Sequence, residues 1–396
     1  MNAKSNRIIA FLLCAVTLSC AVLFFVLPRE SFSENENRAL AAAPSLRLSA
    51  LADGDFTADL QDYLTDHFPF RDLFICIRTK FLLLLGRTEI NGVYLGRNGA
   101  LIDRYDAPEH EDRFRTQVAA LAEKTPVTLM LVPTAVTVYP ENLPAYASCA
   151  SQTETIERLY AALGNMESNL LYSENHAENV LSRELLDSPS CRTVDVLSVL
   201  AAHRDEWPLY YRTDHHWTMA GAYCGYLAYC EAKGLTPVPL DAYDSRVVTD
   251  DFRGTLYARF GDYTMPGEEI TVFELPGQAL DVLYNDTGET SDSLYNFEYL
   301  EKRDKYSLFL NNLHSMVTIT NESAGTEDAL LVIKDSYANS MIPFLTAHYR
   351  TIYVVDPRYY REAPSEFAAA HPEISDVLVL YNLGTMDEDA GIGGIR

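Results

Sequence analysis

The chain has 396 residues and a formal net charge of −25. That length allows one large or two ordinary domains. The charge excludes a nucleic-acid partner, because no basic patch is present to neutralise phosphates, and it disfavours electrostatic docking of the soluble part on anionic lipid surfaces. Hydrophobic residues make up 48 % and aromatics 11 %, which calls for a packed core rather than disorder.

Lys4 and Arg7 precede an apolar run from Ile8 to Leu27, closed by Pro28, Arg29 and Glu30. About 20 apolar residues span a bilayer as a helix. Positive charge ahead of the run puts its N-terminal end in the cytoplasm and the remainder of the chain outside. This describes a single-pass protein of the cell membrane with an extracytoplasmic C-terminal domain. A cleaved signal peptide is the alternative, with Ala39–Ala43 as the small-residue stretch for cleavage. The run is long for a signal, and no small-x-small site follows it closely, which favours an uncleaved anchor. Thr17-Leu18-Ser19-Cys20 is loosely similar to a lipoprotein cleavage site, but the apolar run continues past Cys20. Residues 1–28 therefore read as anchor or signal. Residues 29–55, rich in Ser, Asn, Glu and Ala with Pro44, read as a linker, and 56–396 as an α/β domain.

Phe56, Leu60, Tyr63 and Leu64 recur at helical spacing, and Leu73–Leu85 predicts a second helix after Asp66-His67-Phe68-Pro69-Phe70-Arg71. Asn91–Ile102 predicts a hairpin with Asn-Gly turns. From about residue 110, helix and strand alternate. Arg113–Lys124 and Thr153–Leu163 read as helices, and Val127–Val132 as a buried strand. Trp217–Lys233 reads as a helix stopped by Gly234. Residues 240–326 break the rhythm and read as an insertion or β-rich flap. Ala329–Ile333, Thr351–Val355 and Asp376–Leu380 are then apolar strands with helical stretches between them. Buried strands alternating with helices imply a parallel sheet covered on both faces. Seven cysteines occur without a CxxC pair, which argues against a zinc or thioredoxin-like site. In an oxidising compartment Cys149 and Cys191 are one conceivable disulfide.

Two runs carry the chemistry, Thr213-Asp214-His215-His216-Trp217 and Leu331-Val332-Ile333-Lys334-Asp335-Ser336-Tyr337. A serine just past an apolar strand, with an acid and a histidine two apart elsewhere, is the parts list of a Ser–His–Asp acyl-transfer or hydrolytic site. The serine needs a base, and the base needs an acid to hold its tautomer. In open α/β sheets ligands bind beyond the carboxyl ends of the strands. Ser336, Asn382 and Pro133-Thr134 all fall at such ends. Ser336 is then the nucleophile, His216 the general base and Asp214 its orienter. Asn382 and the backbone amide of Ser336 or of Tyr337 are the oxyanion donors. The bland alternatives are a helix N-cap for Ser336, a structural histidine for His216 and a turn residue for Asn382. A metal held by Asp214, His215 and His216 is a lesser option, since adjacent helical residues point about 100° apart. No cofactor is called for. Trp217 either stacks on a sugar or packs in the core. Tyr210, Tyr211 and Arg212 are candidate substrate contacts, and Lys334 is a candidate cation for an anionic substrate.

Tyr210–Trp217 and Ile333–Ser340 resemble the bacterial DHHW protein family, which is similar to the SGNH hydrolase-like domain of alginate O-acetyltransferases. Glu36-Asn37-Arg38, Asp66–Arg71, Val132-Pro133-Thr134, Tyr139–Pro144 and Gly254-Thr255-Leu256-Tyr257 are further matches. The resemblance covers nearly all of the chain after the apolar run. It implies an SGNH-like parallel sheet flanked by helices, with a circularly permuted motif order: the Asp-x-His block precedes the serine, so His216 rather than His215 is the base. Lys334 stands where the family serine block has a small residue, and no glycine block is evident. The resemblance also implies extracytoplasmic O-acetyl transfer to a cell-surface or secreted polysaccharide, beside a membrane-bound O-acyltransferase. A carbohydrate esterase with the same triad and a non-catalytic glycan-binding envelope protein are the competing functions.

Overall fold

In the computed structural model, which describes residues 3–168 and 191–396, the apolar run near the N-terminus forms one helix, α1 (Ala3–Val26). Its stretch Asn6–Val26 is long and apolar enough to cross a membrane. The chain then divides into two units, Met1–Asn91 with Tyr257–Met265, and Gly92–Leu256 with Pro266–Arg396.

In the first unit, the segment expected to be a linker carries a short antiparallel pair, Phe32–Ser33 with Arg38–Ala39, and a helix Leu48–Asp53. Two longer helices follow, α2 (Asp55–Asp66) and α3 (Arg71–Leu84). The two sequence fragments at 36–38 and 66–71 belong together. Arg38 donates to both carboxylate oxygens of Asp66, at 2.9 and 2.5 Å, and Arg71 donates to Glu36 Oε1 at 2.8 Å. The Ala41 N–H also donates to Asp66, at 2.8 Å. The Arg38 guanidinium, against the opposing effect of burial, holds the Asp66 carboxyl down at about 2.

The second unit is built on one eight-stranded sheet. Its strands in chain order are β1 (Val127–Val132), β2 (Cys191–Thr193), β3 (Leu280–Tyr284), β4 (Glu289–Ser291), β5 (Met316–Asn321), β6 (Ala329–Lys334), β7 (Thr351–Val355) and β8 (Ile374–Asn382). The order across the sheet is β4-β3-β5-β7-β6-β8-β1-β2. β7, β6, β8, β1 and β2 are parallel, as buried apolar strands between helices require. Alternate residues of these strands serve two different cores, because side chains alternate between faces. Met130, Val132, Leu330, Val332, Leu378 and Leu380 feed one. Leu129, Leu131, Leu331, Ile333, Val377 and Val379 feed the other. Truncating any of the leucines, Met130 or Ile333 among these to alanine costs about 2–5 kcal/mol.

The sheet is mixed rather than purely parallel. β5 pairs antiparallel with β7, β3 with β5, and β4 with β3. The stretch at 240–326 is therefore not a separate flap throughout. β3, β4 and β5 cover the edge of β7, which would otherwise present a row of unpaired N–H and C=O groups. Only Asp244–Phe252 and Glu268–Glu274 form an antiparallel pair of their own. Helix α4 (Met219–Lys233) begins after Trp217, with the Thr218 hydroxyl as N-cap accepting from the Gly221 N–H at 3.2 Å. Gly234 ends it with φ +68°, in the left-handed region that glycine tolerates. Among the described residues all seven cysteines are free, so Cys149 and Cys191 are not bridged.

Candidate active site

The parallel strands deliver β6, β8 and β1 to one rim, where their carboxyl ends stand side by side. Just past β6 the chain enters a 3-10 turn, Ser336–Ser340, with Asp335 as its N-cap. Asp335 Oδ1 accepts from the Tyr337 N–H at 2.9 Å. Its Oδ2 accepts from the backbone and side-chain N–H groups of Asn382, at 2.7 and 2.6 Å, and from Thr385 Oγ1 at 2.5 Å. A single buried carboxylate thus ties the end of β6 to the end of β8. Burial pushes its pKa up against these bonds. The turn leaves Ser336 partly exposed.

The Asp-His run is a tight loop clamped on both sides. Tyr210 and Trp217 form an antiparallel bridge, the Tyr211 N–H donates to His216 O at 3.2 Å, and the Thr218 N–H donates to Leu209 O at 2.9 Å. Inside the loop, Asp214 Oδ1 accepts from the His216 backbone N–H at 2.9 Å, an Asx turn. The same oxygen lies 2.5 Å from His216 Nδ1. The two-residue spacing is thus one that lets a single carboxylate orient both the backbone and the ring of the histidine. An ionised carboxylate only accepts, so Nδ1 carries the proton and Nε2 is left as the acceptor. Nε2 lies 2.7 Å from Ser336 Oγ.

Four residues hold this arrangement that the Asp-x-His and serine motifs did not single out. The Thr255 N–H and hydroxyl donate to Asp214 Oδ2 at 2.7 and 3.2 Å. Gly254 allows that approach, since a Cβ there would lie 2.1 Å from Asp214 Oδ2. Both residues stood in the Gly254–Tyr257 match, which is the signal that could have found them. Tyr306 stacks on the His216 ring at 3.7 Å and 10°, and its hydroxyl donates to Ser336 O at 3.2 Å. No spacing among the 25 tyrosines marks it. Glu268 also supports the loop, accepting from the N–H groups of Arg212 and Thr213 at 2.7 and 2.8 Å.

Burial by itself would raise the Asp214 carboxyl, but the two imidazoles and the bonds from His216 outweigh it and hold it well below the usual carboxylate range. His215 lies beside this pair with Nδ1 2.7 Å from Thr255 Oγ1. Burial and the neighbouring His216 bring its imidazole down to about 4. The ligand atoms of Asp214, His215 and His216 fall within 4.8 Å of one another, a spacing that could accommodate a metal ion. Asp214 and His216 already use theirs in the contacts above.

Several expected contacts sit elsewhere. Trp217 is fully buried and donates from Nε1 to Tyr337 O at 2.9 Å, so it packs in the core and offers no face to a sugar. Tyr211 is buried against Phe252 and Tyr306 and is likewise not a surface contact. Lys334 is buried with Nζ 3.3 Å from Asp356 Oδ2. Asp356 is also held by Arg358, at 2.8 and 2.5 Å. A cation neutralised this way is structural and unavailable to an anionic substrate. Asn382 is no free oxyanion donor, because its amide hydrogens go to Asp335 and to Thr385 Oγ1 (2.7 Å) while its Oδ1 caps the Thr385 N–H at 3.0 Å. The Tyr337 N–H is bound to Asp335. The Ser336 N–H, first in its turn, has no acceptor among the described residues. Arg212 remains exposed, with its guanidinium 3.3 Å from Asn98 O.

A family model described as DHHW protein matches residues 158–355. A crystal structure of a DHHW family protein from Eubacterium siraeum is similar with a TM-score of 0.61 and 23 % identity, over 77 % of this chain and 95 % of that one. The structure of Bacillus cereus PatB1 with a sulfonyl adduct gives a TM-score of 0.55 and 15 % identity, over 77 % and 98 %. At these identities the likeness speaks to the fold alone, an α/β arrangement around one large, mostly parallel sheet. The O-acetyltransferase domain of Pseudomonas putida AlgJ is more distant, with a TM-score of 0.43 at 14 % identity over 75 % and 93 %. No curated protein matches the chain.

Proposed function

Because the chain belongs to the DHHW protein family, we propose that it is an extracytoplasmic O-acetyltransferase for a cell-surface or secreted polysaccharide, with Ser336 as acyl carrier, His216 as general base and Asp214 as its orienter. One observation carries the catalytic reading: an unbroken relay from Asp214 Oδ1 through the His216 ring to Ser336 Oγ, with steps of 2.5 and 2.7 Å. A non-catalytic surface protein has no need to keep a buried carboxylate, an imidazole and a partly exposed hydroxyl in this order.

The steps follow from the geometry. Ser336 Oγ attacks the carbonyl carbon of an acetyl donor while its proton passes to His216 Nε2. The Asp214 carboxylate stabilises the imidazolium, and the Ser336 N–H faces the developing oxyanion. The C–O bond to the donor breaks, and His216 returns the proton to the departing oxygen. A sugar hydroxyl then attacks the acetyl-serine, again giving its proton to Nε2, which restores the Ser336 hydroxyl. Tyr306 covers one face of the imidazole, limiting its tilt between these steps. The helix α1 anchors the chain with its N-terminal end in the cytoplasm, and a membrane-bound O-acyltransferase is the supplier of acetyl groups. The partial exposure of Ser336 favours one second reading, in which water replaces the sugar hydroxyl and the protein is an esterase.

The test uses the full-length chain in detergent with 4-nitrophenyl acetate. The expected result is one acetyl group on Ser336 by peptide mass mapping, moving to added polysaccharide in preference to water. Free acetate as the only product would select the esterase. Unchanged acyl turnover in Ser336→Ala would reject both.

A further inference from the structure

The helix α3 carries an apolar stripe, Leu73, Phe74, Ile77, Phe81 and Leu84, between the exposed cations Arg78 and Lys80, and only Cys76 and Thr79 are buried in it. Leu73, Phe74, Ile77, Phe81 and Leu84 are all exposed, Leu84 by 81 %, and Phe70 just before the helix is exposed as well. Beside them runs a groove of about 670 Å³ between α2 and α3, walled by Leu60, Leu64, Phe68 and Phe74. A contiguous exposed apolar face of this kind marks a contact with protein or with lipid.

Contacts within the same unit say which. Phe24, in the last turn of α1, packs edge-on against Tyr63 of α2 at 6.1 Å. The Arg29 guanidinium sits over the same two rings, 3.9 Å from the Phe24 centroid and 5.6 Å from that of Tyr63. An aromatic pair capped by an arginine whose stem lies along apolar surface is the arrangement found where a helix leaves the hydrocarbon for the headgroups. α2 is thereby held at the level where α1 exits, and α3 starts five residues after α2 ends.

We propose that α2 and α3 form a second membrane contact, lying in the outer interface of the bilayer with the exposed face of α3 and the adjoining groove among the lipids. The inference rests on α1 being an uncleaved anchor. The contact is one of apolar burial, so it works on zwitterionic lipid and is compatible with a chain of net charge −25.

The test places a reporter on α3 in the full chain. Leu84→Trp and Ile77→Trp are reconstituted separately into nanodiscs of phosphatidylcholine with brominated acyl chains, one protein per disc. The wild type, with Trp207 and Trp217 only, gives the background. Side chains buried about 5–10 Å into the interface should lose about half or more of the added emission to the bromines. Quenching no greater than in the wild type at both positions, with α1 present by intact mass, would overturn the proposal and leave the anchor standing. Absence of α1 from the mass of the cell-purified chain would overturn the anchor and the proposal together.

Discussion

Gly254→Ala is the sharpest probe of the proposed relay, because it touches neither the serine nor the histidine. An alanine methyl there would lie 2.1 Å from Asp214 Cβ and Oδ2 and 2.4 Å from its Cγ. Ordinary contact begins at 3.4 Å, so more than 1 Å of movement has to come from the carboxylate or from the backbone bearing Thr255. Either movement strains the bonds from the Thr255 N–H (2.7 Å) or from His216 Nδ1 (2.5 Å) to Asp214. Misplacement of a catalytic group by about 1 Å costs on the order of 10²-fold in rate, and overpacking a filled site costs about 1–3 kcal/mol. Gly254→Ala should therefore acylate Ser336 about 10²-fold more slowly and melt at a lower temperature, while Gly325→Ala, which faces open space, should do neither. Release of nitrophenolate gives the rate, and circular dichroism on heating gives the stability. A folded Gly254→Ala protein that acylates at the wild-type rate would refute the orienting role of Asp214.

Lys334→Met leaves Asp356 paired with Arg358 alone. The expected loss is about 1–3 kcal/mol of stability, with the preference between anionic and neutral acceptors unchanged. A rise in KM for anionic acceptors at full stability would return Lys334 to the substrate. His215 has a folded pKa of about 4 against an ordinary 6.5, so between those values the unfolded chain binds a proton that the folded chain does not. Stability is then complete above pH 6.5 and falls as the pH drops towards 4. Urea unfolding across that range should show a shallower slope in His215→Gln, and identical slopes would contradict the assignment. A chelator should leave Ser336 acylation unchanged, because Asp214 and His216 are engaged in hydrogen bonds. Activity lost on chelation and restored by zinc would instead favour the metal reading.

Much of this protein is legible in its sequence, because local rules dominate there. The strand Val127–Val132 was readable as buried from its unbroken apolar run, and the stop at Gly234 from the tolerance of glycine for positive φ. The spacing of Asp214 and His216 is equally local, since an Asx turn brings a carboxylate to the ring two residues on. Pairing His216 with Ser336 came from the chemistry a serine nucleophile needs, a base and an acid to orient it, and not from any local spacing.

Tertiary structure decided what local spacing cannot encode. Lys334 and Asn382 stand within a few residues of the serine or at its rim, which made both look chemical. Each proves bound to a carboxylate, Asp356 for one and Asp335 for the other, because a buried charge or amide must find its partner and that partner comes from another strand end. Tyr306 is the converse case, distant in sequence and stacked on the catalytic candidate His216. Likewise β3, β4 and β5 look like part of an inserted flap until the open edge of β7 is seen to need them. Periodicity and turn chemistry determine which residues are buried and where elements begin and end, whereas the pairing of buried polar groups is settled only when the chain closes on itself.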